Sequence, residues 1–290
     1  MSTVTASYLS CEAASREQFR TTFDRKPFAF EHHLLDTGLF SMDAIQDLAE
    51  RMAPKTGRWY FEQGESEAKA GWNAGASQLT LQEVLAGIAT NRSLVLLKRV
   101  NEEPEYRRIL DGLEEELSDM LGFDMGSRYY DGLMTVLVSS PGRVTPYHVD
   151  GQANLLMQMR GSKSIFIFDG DDRVILPARE LEDFWGGDVN APRYRDSLQA
   201  DAQEFVLSPG GGVTNPVTFP HWVKNGTEVS ISLSVNFKRI VDDVADAYKV
   251  NKQLRKIGLK PKAPGSAKTI DHFKGLAYRT AKQARQYLKK

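Results

Sequence analysis

At 290 residues and 41% hydrophobic content, the chain can bury a sizeable core, and one large domain, or one domain with extensions, is expected. Its one cysteine, Cys11, excludes an intrachain disulfide and fits a reducing, cytoplasmic setting; with no apolar run of about 18 residues and no basic-then-apolar leader at Met1-Ser2-Thr3-Val4, neither a membrane-spanning helix nor a signal peptide is expected. The net charge of −1 hides a basic end, because from Val241 to Lys290 thirteen Lys and Arg stand against four Asp.

Residues 1–25 are polar and small, and the first few are expected to be disordered. Phe28 to Leu39 mixes aromatic and apolar residues, as in an opening strand and turn. Ser41 caps a helix through about Met52, with Asp43 in its first turn. Arg58 to Phe61 reads as a short strand, and Glu62 to Gly75 as a polar loop. Thr80-Leu81-Gln82-Glu83 is a capping box that opens a helix to about Ala89. Ser93 to Val100 reads as a strand. Pro104 then starts a helix to about Leu121, in which Leu110, Leu113, Leu117 and Leu121 keep helical spacing for core packing.

Leu133 to Val138 is strongly strand-like and leads through a Pro141-Gly142 turn into Thr145-Pro146-Tyr147-His148-Val149-Asp150. His148 and Asp150 are two apart, so on a strand both side chains leave the same face. They would make two ligands of a facial triad, and His221, in Phe219-Pro220-His221-Trp222, would supply the third. Two histidines and one carboxylate with open positions opposite form the donor set of non-heme Fe(II) oxygenases. H-x-D alone is more often a surface or hydrogen-bonded pair. Here it precedes a largely apolar run, Leu155 to Phe168, and His221 precedes a second run, Val229 to Phe237, that alternates with period two. Ligands at the mouths of neighbouring antiparallel strands suit a jelly-roll barrel.

Lys163 stands just ahead of Ile165-Phe166-Ile167-Phe168 and, taken alone, reads as a solvent-facing lysine at a strand start. Asp169-Gly170-Asp171-Asp172 is a turn whose acids lack calcium-loop spacing. Pro177 to Leu198 is irregular, with Phe184, Trp185, Arg193, Tyr194 and Arg195; a substrate-contacting lid and a packed excursion describe it equally well. Glu204 to Leu207 is a strand before a glycine-rich turn. Gly210-Gly211-Gly212 lacks the Lys-Ser/Thr and the helix of a phosphate loop. Trp222 either walls the metal pocket or is a core aromatic. Val241 to Leu259 has helical spacing, Lys260 to Gly265 breaks it, and Thr269 to Leu288 is a last, basic helix. A solvated face is the plainer reading of its charge and nucleic-acid contact the sharper one.

The stretch Thr145-Pro146-x-His148-x-Asp150, with Asn154, Gly161 and Lys163, resembles the jumonji-type, cupin-like family of Fe(II)- and 2-oxoglutarate-dependent oxygenases. Pro216 five residues ahead of His221, Asn225-Gly226 and Val235-Asn236-Phe237 continue the match, which is similar to that of the asparaginyl hydroxylase acting on the hypoxia-inducible factor. It covers roughly residues 130 to 240. The Pro-Gly-Asp usual before the distal histidine is replaced by Pro209-Gly210-Gly211-Gly212.

The resemblance implies a mainly β fold with helices (α+β). A double-stranded β-helix (jelly-roll) core would occupy 126–240, with a mixed helical extension at 1–125 packing on it and a basic helical extension at 241–290. It implies that His148, Asp150 and His221 hold iron. It also implies that Lys163 pairs with the distal carboxylate of 2-oxoglutarate with Thr145 as hydroxyl partner, and that Asn154 and Asn236 lie near the cosubstrate's metal-binding end. A buried ammonium with a neighbouring hydroxyl is what a dicarboxylate needs at its far end. The alternative cation, an Arg nine or ten residues after the distal His, is missing, because Ser230 and Ile231 stand there. The expected activity is hydroxylation of an unactivated C–H of a protein side chain or small molecule, with release of succinate and CO2. A homodimer through the C-terminal helices is a further implication. The competing expectation is a non-catalytic, cupin-like metal-binding module whose basic tail binds a partner or nucleic acid.

Overall fold

The computed structural model describes residues 7–71, 79–130 and 132–287. The expected disorder of the first few residues, the end of the Glu62–Gly75 loop and Leu288 fall outside them. In chain order the chain forms α1 (Ala13–Thr22), β1 (Phe28–Glu31), α2 (Met42–Met52), β2 (Trp59–Glu62), α3 (Leu81–Ala86) and β3 (Leu94–Lys98). There follow α4 (Pro104–Leu121), β4 (Leu133–Ser139), β5 (Val144–His148), β6 (Ala153–Arg160), β7 (Lys163–Ile167), α5 (Ala178–Trp185) and β8 (Gln203–Leu207). The last elements are β9 (Gly211–Asn215), β10 (His221–Asn225), β11 (Ser230–Phe237), α6 (Asp243–Lys256) and α7 (Lys268–Tyr287). No helix among the described residues is long and apolar enough to cross a membrane.

The strands make two antiparallel sheets, a larger one in the order β1-β9-β6-β11-β4-β3-β2 and a smaller one in the order β5-β10-β7-β8. Laid face to face, with helices at both ends of the chain, they form the expected jelly roll. The first 125 residues do more than cover this sandwich, since β1, β2 and β3 are strands of the larger sheet.

Two faces of the larger sheet serve different ends. Met134, Val136, Leu155, Met157, Leu233 and Val235 face the helices and share a core with Phe19, Ile45, Leu113 and Leu117. The opposite face looks at the smaller sheet, where Leu156 packs with Ile165, Ile167, Leu207, Val213 and Val223. The alternation of β11 therefore sends its apolar residues to the helices and its serines into the barrel. Ser230 and Ser232 are fully buried. Their hydroxyls are met by the Gln158 amide, which accepts from Ser232 at 2.7 Å and donates to Ser230 at 3.0 Å.

Local signals set several boundaries. The Ser41 hydroxyl accepts from the Ala44 N–H at 3.2 Å, and Thr80 and Glu83 close a reciprocal capping box. Pro104 occupies the first turn of α4, which ends at Gly122 with φ 71°. The apolar run after Asn154 is two strands, split by a tight turn at Gly161 with φ 67°, where a Cβ would stand 2.7 Å from the Val229 carbonyl.

Three stretches differ from expectation. Residues 1–25 contain α1, whose one buried residue, Phe19, joins the helix-side core. Pro177 to Leu198 contains α5, pinned to α6 by the buried Glu182 carboxylate on Arg255 at 2.7 Å. Gly211 and Gly212 belong to β9 rather than to a turn. Gly212 pairs opposite Phe30, and a Cβ there would lie 2.5 Å from the Phe30 ring, so the missing side chain is the space that ring occupies. Gly212→Ala is expected to destabilise the fold by about 1–3 kcal/mol in urea unfolding, with part of the loss recovered by adding Phe30→Leu. Strictly additive losses would show that the ring is not the obstacle.

Candidate metal centre

His148 ends β5 and His221 begins β10, and the ladder sets them opposite one another at one mouth of the barrel. Their ring centroids are 4.2 Å apart. Asp150 is not on the strand, as the same-face argument requires, but two residues past its end. Its carbonyl accepts from the Thr218 N–H at 2.8 Å, which ties it to the turn before His221. Thr218 holds φ at 63°, an unusual conformation for a β-branched residue, in forming that turn. The Asp150 carboxylate reaches 3.7 Å from His221 Nε2. One ligand atom each from His148, Asp150 and His221 lie within 4.8 Å of one another, the only such cluster among the described residues.

The rings are oriented from behind. His148 Nδ1 lies 2.7 Å from the Pro146 carbonyl and His221 Nδ1 3.1 Å from that of Phe219. A carbonyl accepts only, so each Nδ1 carries the proton and each Nε2 keeps a lone pair for a metal. The Asn215 amide also meets His221 Nδ1, at 2.9 Å, while Asn215 Oδ1 is buried without a partner. The same amide nitrogen lies 3.3 Å from the Phe219 carbonyl. Burial first, and the neighbouring His148 second, push His221 down to about 4, so it is neutral near pH 7. Two imidazole nitrogens and a carboxylate are a donor set that suits a divalent first-row cation.

Lys163 opens β7 with its side chain on the interior face, in line with Ile165 and Ile167, and is 4% exposed. The ladder sets Ile167 opposite His221, so Lys163 lies four residues, roughly 13 Å, along the strand from the histidines. No hydrogen bond or ion pair reaches it from the described residues. Burial alone pushes it down to about 7. A buried ammonium is costly unless an anion pairs with it. Thr145, opposite Val223, which itself faces Ile165, lies between the two levels.

Asn154 and Asn236 face each other across β6 and β11. The Asn154 amide donates to Asn236 Oδ1 at 2.9 Å and to Ser234 Oγ at 2.6 Å. Asn215 stands opposite Asn154 on the other side, so an amide row crosses three strands and ends on His221. Sequence reasoning passed over Asn215 and Ser234. For Ser234 the one signal was polarity between apolar strand neighbours, Leu233 and Val235; Asn215, between Thr214 and Pro216, carried none. Trp222 points away from the cluster, stacking on Phe166 at 4.2 Å and donating to Gln199; it is a core aromatic. Trp185 of α5, by contrast, lies against Gly151, where a Cβ would meet its ring at 3.0 Å. The Asp169 turn is closed by its own carboxylates and holds no cluster with a histidine.

The unfolded chain holds the Lys163 proton up to about pH 10.5, the folded chain without an anion only to about 7. Wild-type stability therefore rises with pH between those values, while below about 7 the burial penalty is constant. Lys163→Met should raise the melting temperature of the metal-free protein most at pH 6.5, with the gain fading toward pH 10. A gain independent of pH would mean that the ammonium is already paired.

No protein-family model matches the sequence, and no curated protein matches it. Solved structures do. The ribosomal oxygenase YcfD of Escherichia coli, in complex with cobalt and 2-oxoglutarate, superposes with a TM-score of 0.52 at 15% identity, covering 89% of this chain and 61% of that one. An X-ray structure of the same protein gives a TM-score of 0.55 at 15% identity over 94% and 68%. This chain thus spans about three fifths of the length of the first of these structures. At this identity the likeness is one of fold, and the jelly roll described above is the fold the chain shares with that oxygenase.

Proposed function

We propose that the chain is an Fe(II)- and 2-oxoglutarate-dependent oxygenase that hydroxylates an unactivated C–H of a protein side chain or small molecule, releasing succinate and CO2. The observation that carries this reading is one barrel interior with three metal-type donors at its mouth and a buried, partnerless ammonium deeper in. YcfD, a protein of like fold, binds cobalt and 2-oxoglutarate, which supports it.

When bound, the ferrous ion supplies oxygen activation, which no side chain can perform. The chain supplies the rest. His148 and His221 offer Nε2 with their Nδ1–H groups fixed on the Pro146 and Phe219 carbonyls, and Asp150 adds the one anionic donor. Three protein ligands leave room for a bidentate keto acid and for oxygen. Lys163 neutralises the far carboxylate, and Thr145, between the two levels, contributes a hydroxyl. Asn154 and Asn236, held by each other and by Ser234, face the interior as fixed dipoles. Leu156, Ile165 and Val223 keep water from that space.

A second copy of the chain is the partner this reading carries. The outward side of α7 holds Ile270, Phe273 and Leu276, 48%, 64% and 50% exposed, and continues through Thr280 and Ala284 without a charge. An exposed apolar cluster on an uncharged helix face is the kind of surface that a two-fold contact covers.

Asp150→Ala should abolish both Mn(II) binding and succinate formation. Lys163→Met should retain the metal but need roughly 30-fold or more 2-oxoglutarate, as expected for loss of a buried charge pair worth about 2–5 kcal/mol. Tight zinc with no 2-oxoglutarate binding would instead favour a non-catalytic metal-binding module. In analytical ultracentrifugation the wild type should sediment as a dimer and Phe273→Asp as a monomer with an unchanged circular dichroism spectrum; a monomeric wild type removes the dimer.

A further inference from the structure

A groove of about 940 Å³ runs between α6 and α7 beside Trp185. A hollow of about 300 Å³ shares Trp185, Lys249, Tyr278, Lys282 and Gln286 with it and is also lined by Gly151, the residue after Asp150. The shared walls make one trough. It runs from Gly151, along the C-terminal half of α7, to Lys256 and Ile257.

The outer part of the trough has two chemistries. Its floor is aliphatic, with Val250, Leu254, Ile257, Ala277 and Ala281, and Ile257 is 73% exposed. Its cations are Lys249, Lys256, Lys282 and Arg285, and no acidic residue lines it. Lys249 is paired with Asp246 at 2.9 Å, whereas Lys256, Lys282 and Arg285 have no ion-pair partner among the described residues. The inner part also holds two acids, Asp242 and Asp246, which pair with Arg239 and Arg279 at 3.2 and 2.9 Å, against five cations.

We infer that this trough receives an acidic, amphipathic polypeptide segment and leads it toward the metal-ligand cluster. Three unpaired cations beside an aliphatic floor match a segment with carboxylates on one side and large apolar side chains on the other. A nucleic acid fits less well. It would satisfy the cations, but its bases need open ring faces to stack on. The Lys249 ammonium lies 5.3 Å from the Trp185 ring and 5.0 Å from that of Tyr278, so a cation already occupies a face of each. Nor would a sugar-phosphate chain cover Val250, Leu254 and Ile257. That the segment belongs to the substrate rests on the oxygenase reading; that it binds does not.

The test is fluorescence anisotropy on the full chain without added metal. The probes are a labelled Glu/Leu amphipathic helix of about five turns and a labelled poly(U) strand of similar length. The peptide should bind, and the Lys256→Glu, Lys282→Glu, Arg285→Glu triple variant should weaken it by about tenfold or more with an unchanged melting temperature. All three side chains are exposed, so reversing them leaves the core intact. Absence of peptide binding, equal binding by the triple variant, or tighter binding of poly(U) than of the peptide overturns the inference. Fe(II) binding is measured separately. Its absence with peptide binding intact removes the oxygenase reading and leaves the trough standing; the converse removes the trough alone.

Discussion

The hydrogen-bonded register between β5 and β10 is the constraint on which the centre depends. It sets His148 against His221 at a barrel mouth, although 72 intervening residues separate them in sequence. A ladder slipped by one residue would turn one imidazole to the outer face, and the pair would be lost. The start of β5 is held accordingly. The Arg143 guanidinium forms a buried ion pair with Glu62 of β2 at 3.1 Å, and its carbonyl accepts from the Asn225 N–H at 3.0 Å. Truncating one partner of such a buried pair is far more harmful than the pair is stabilising, because the other charge is left without compensation.

A second constraint follows from what the barrel encloses. Its interior mixes Leu156, Ile165 and Val223 with Gln158, Ser232, Asn154 and Asn215. Buried amides and hydroxyls are tolerated only when hydrogen-bonded, and those near the turn of Gly161 saturate one another. Two other interior groups are not satisfied: Asn215 Oδ1, orphaned near the mouth, and Lys163, which has no partner among the described residues, at the far end. Unsatisfied polar groups at the two ends of one interior space mark where a polar, anionic molecule fits between them. Stability is given up there in the free protein and regained on binding.

The flanking helices bear on the centre indirectly. Asp24, between α1 and β1, accepts from Val217, Tyr129 and Arg239, so one buried carboxylate joins the N-terminal segment, the turn before His221 and the chain beyond β11. On the other side α5 lays Trp185 on Gly151 and is itself clamped to α6 through Glu182. The mouth is thus framed by elements from both ends of the chain, which is where a fold of this kind sets its selectivity while the barrel stays constant.

Much of this was legible in the sequence where the signal is local. Ser41, the Thr80–Glu83 box, Pro104 and Gly122 state helix ends through caps that need only neighbouring backbone. The period-two run of β11 states a strand. The residue types at His148, Asp150 and His221 state a metal chemistry, because few other donor sets leave coordination sites open. What the sequence could not state was direction and distance. The period-two run of β11 does not say which face is interior, and its serines are buried; Lys163, taken alone, reads as a solvent-facing lysine and lies inside; Trp222, which could wall the pocket or fill a core, points away from the cluster; Asn215 carries no pattern at all and meets a histidine ring. By itself, then, the sequence determined which segments are helix or strand and which atoms can bind a metal, since both follow from contacts a few residues long. The pairing of two sheets decided which face of each strand is interior and which donors meet, since those contacts close only across the fold.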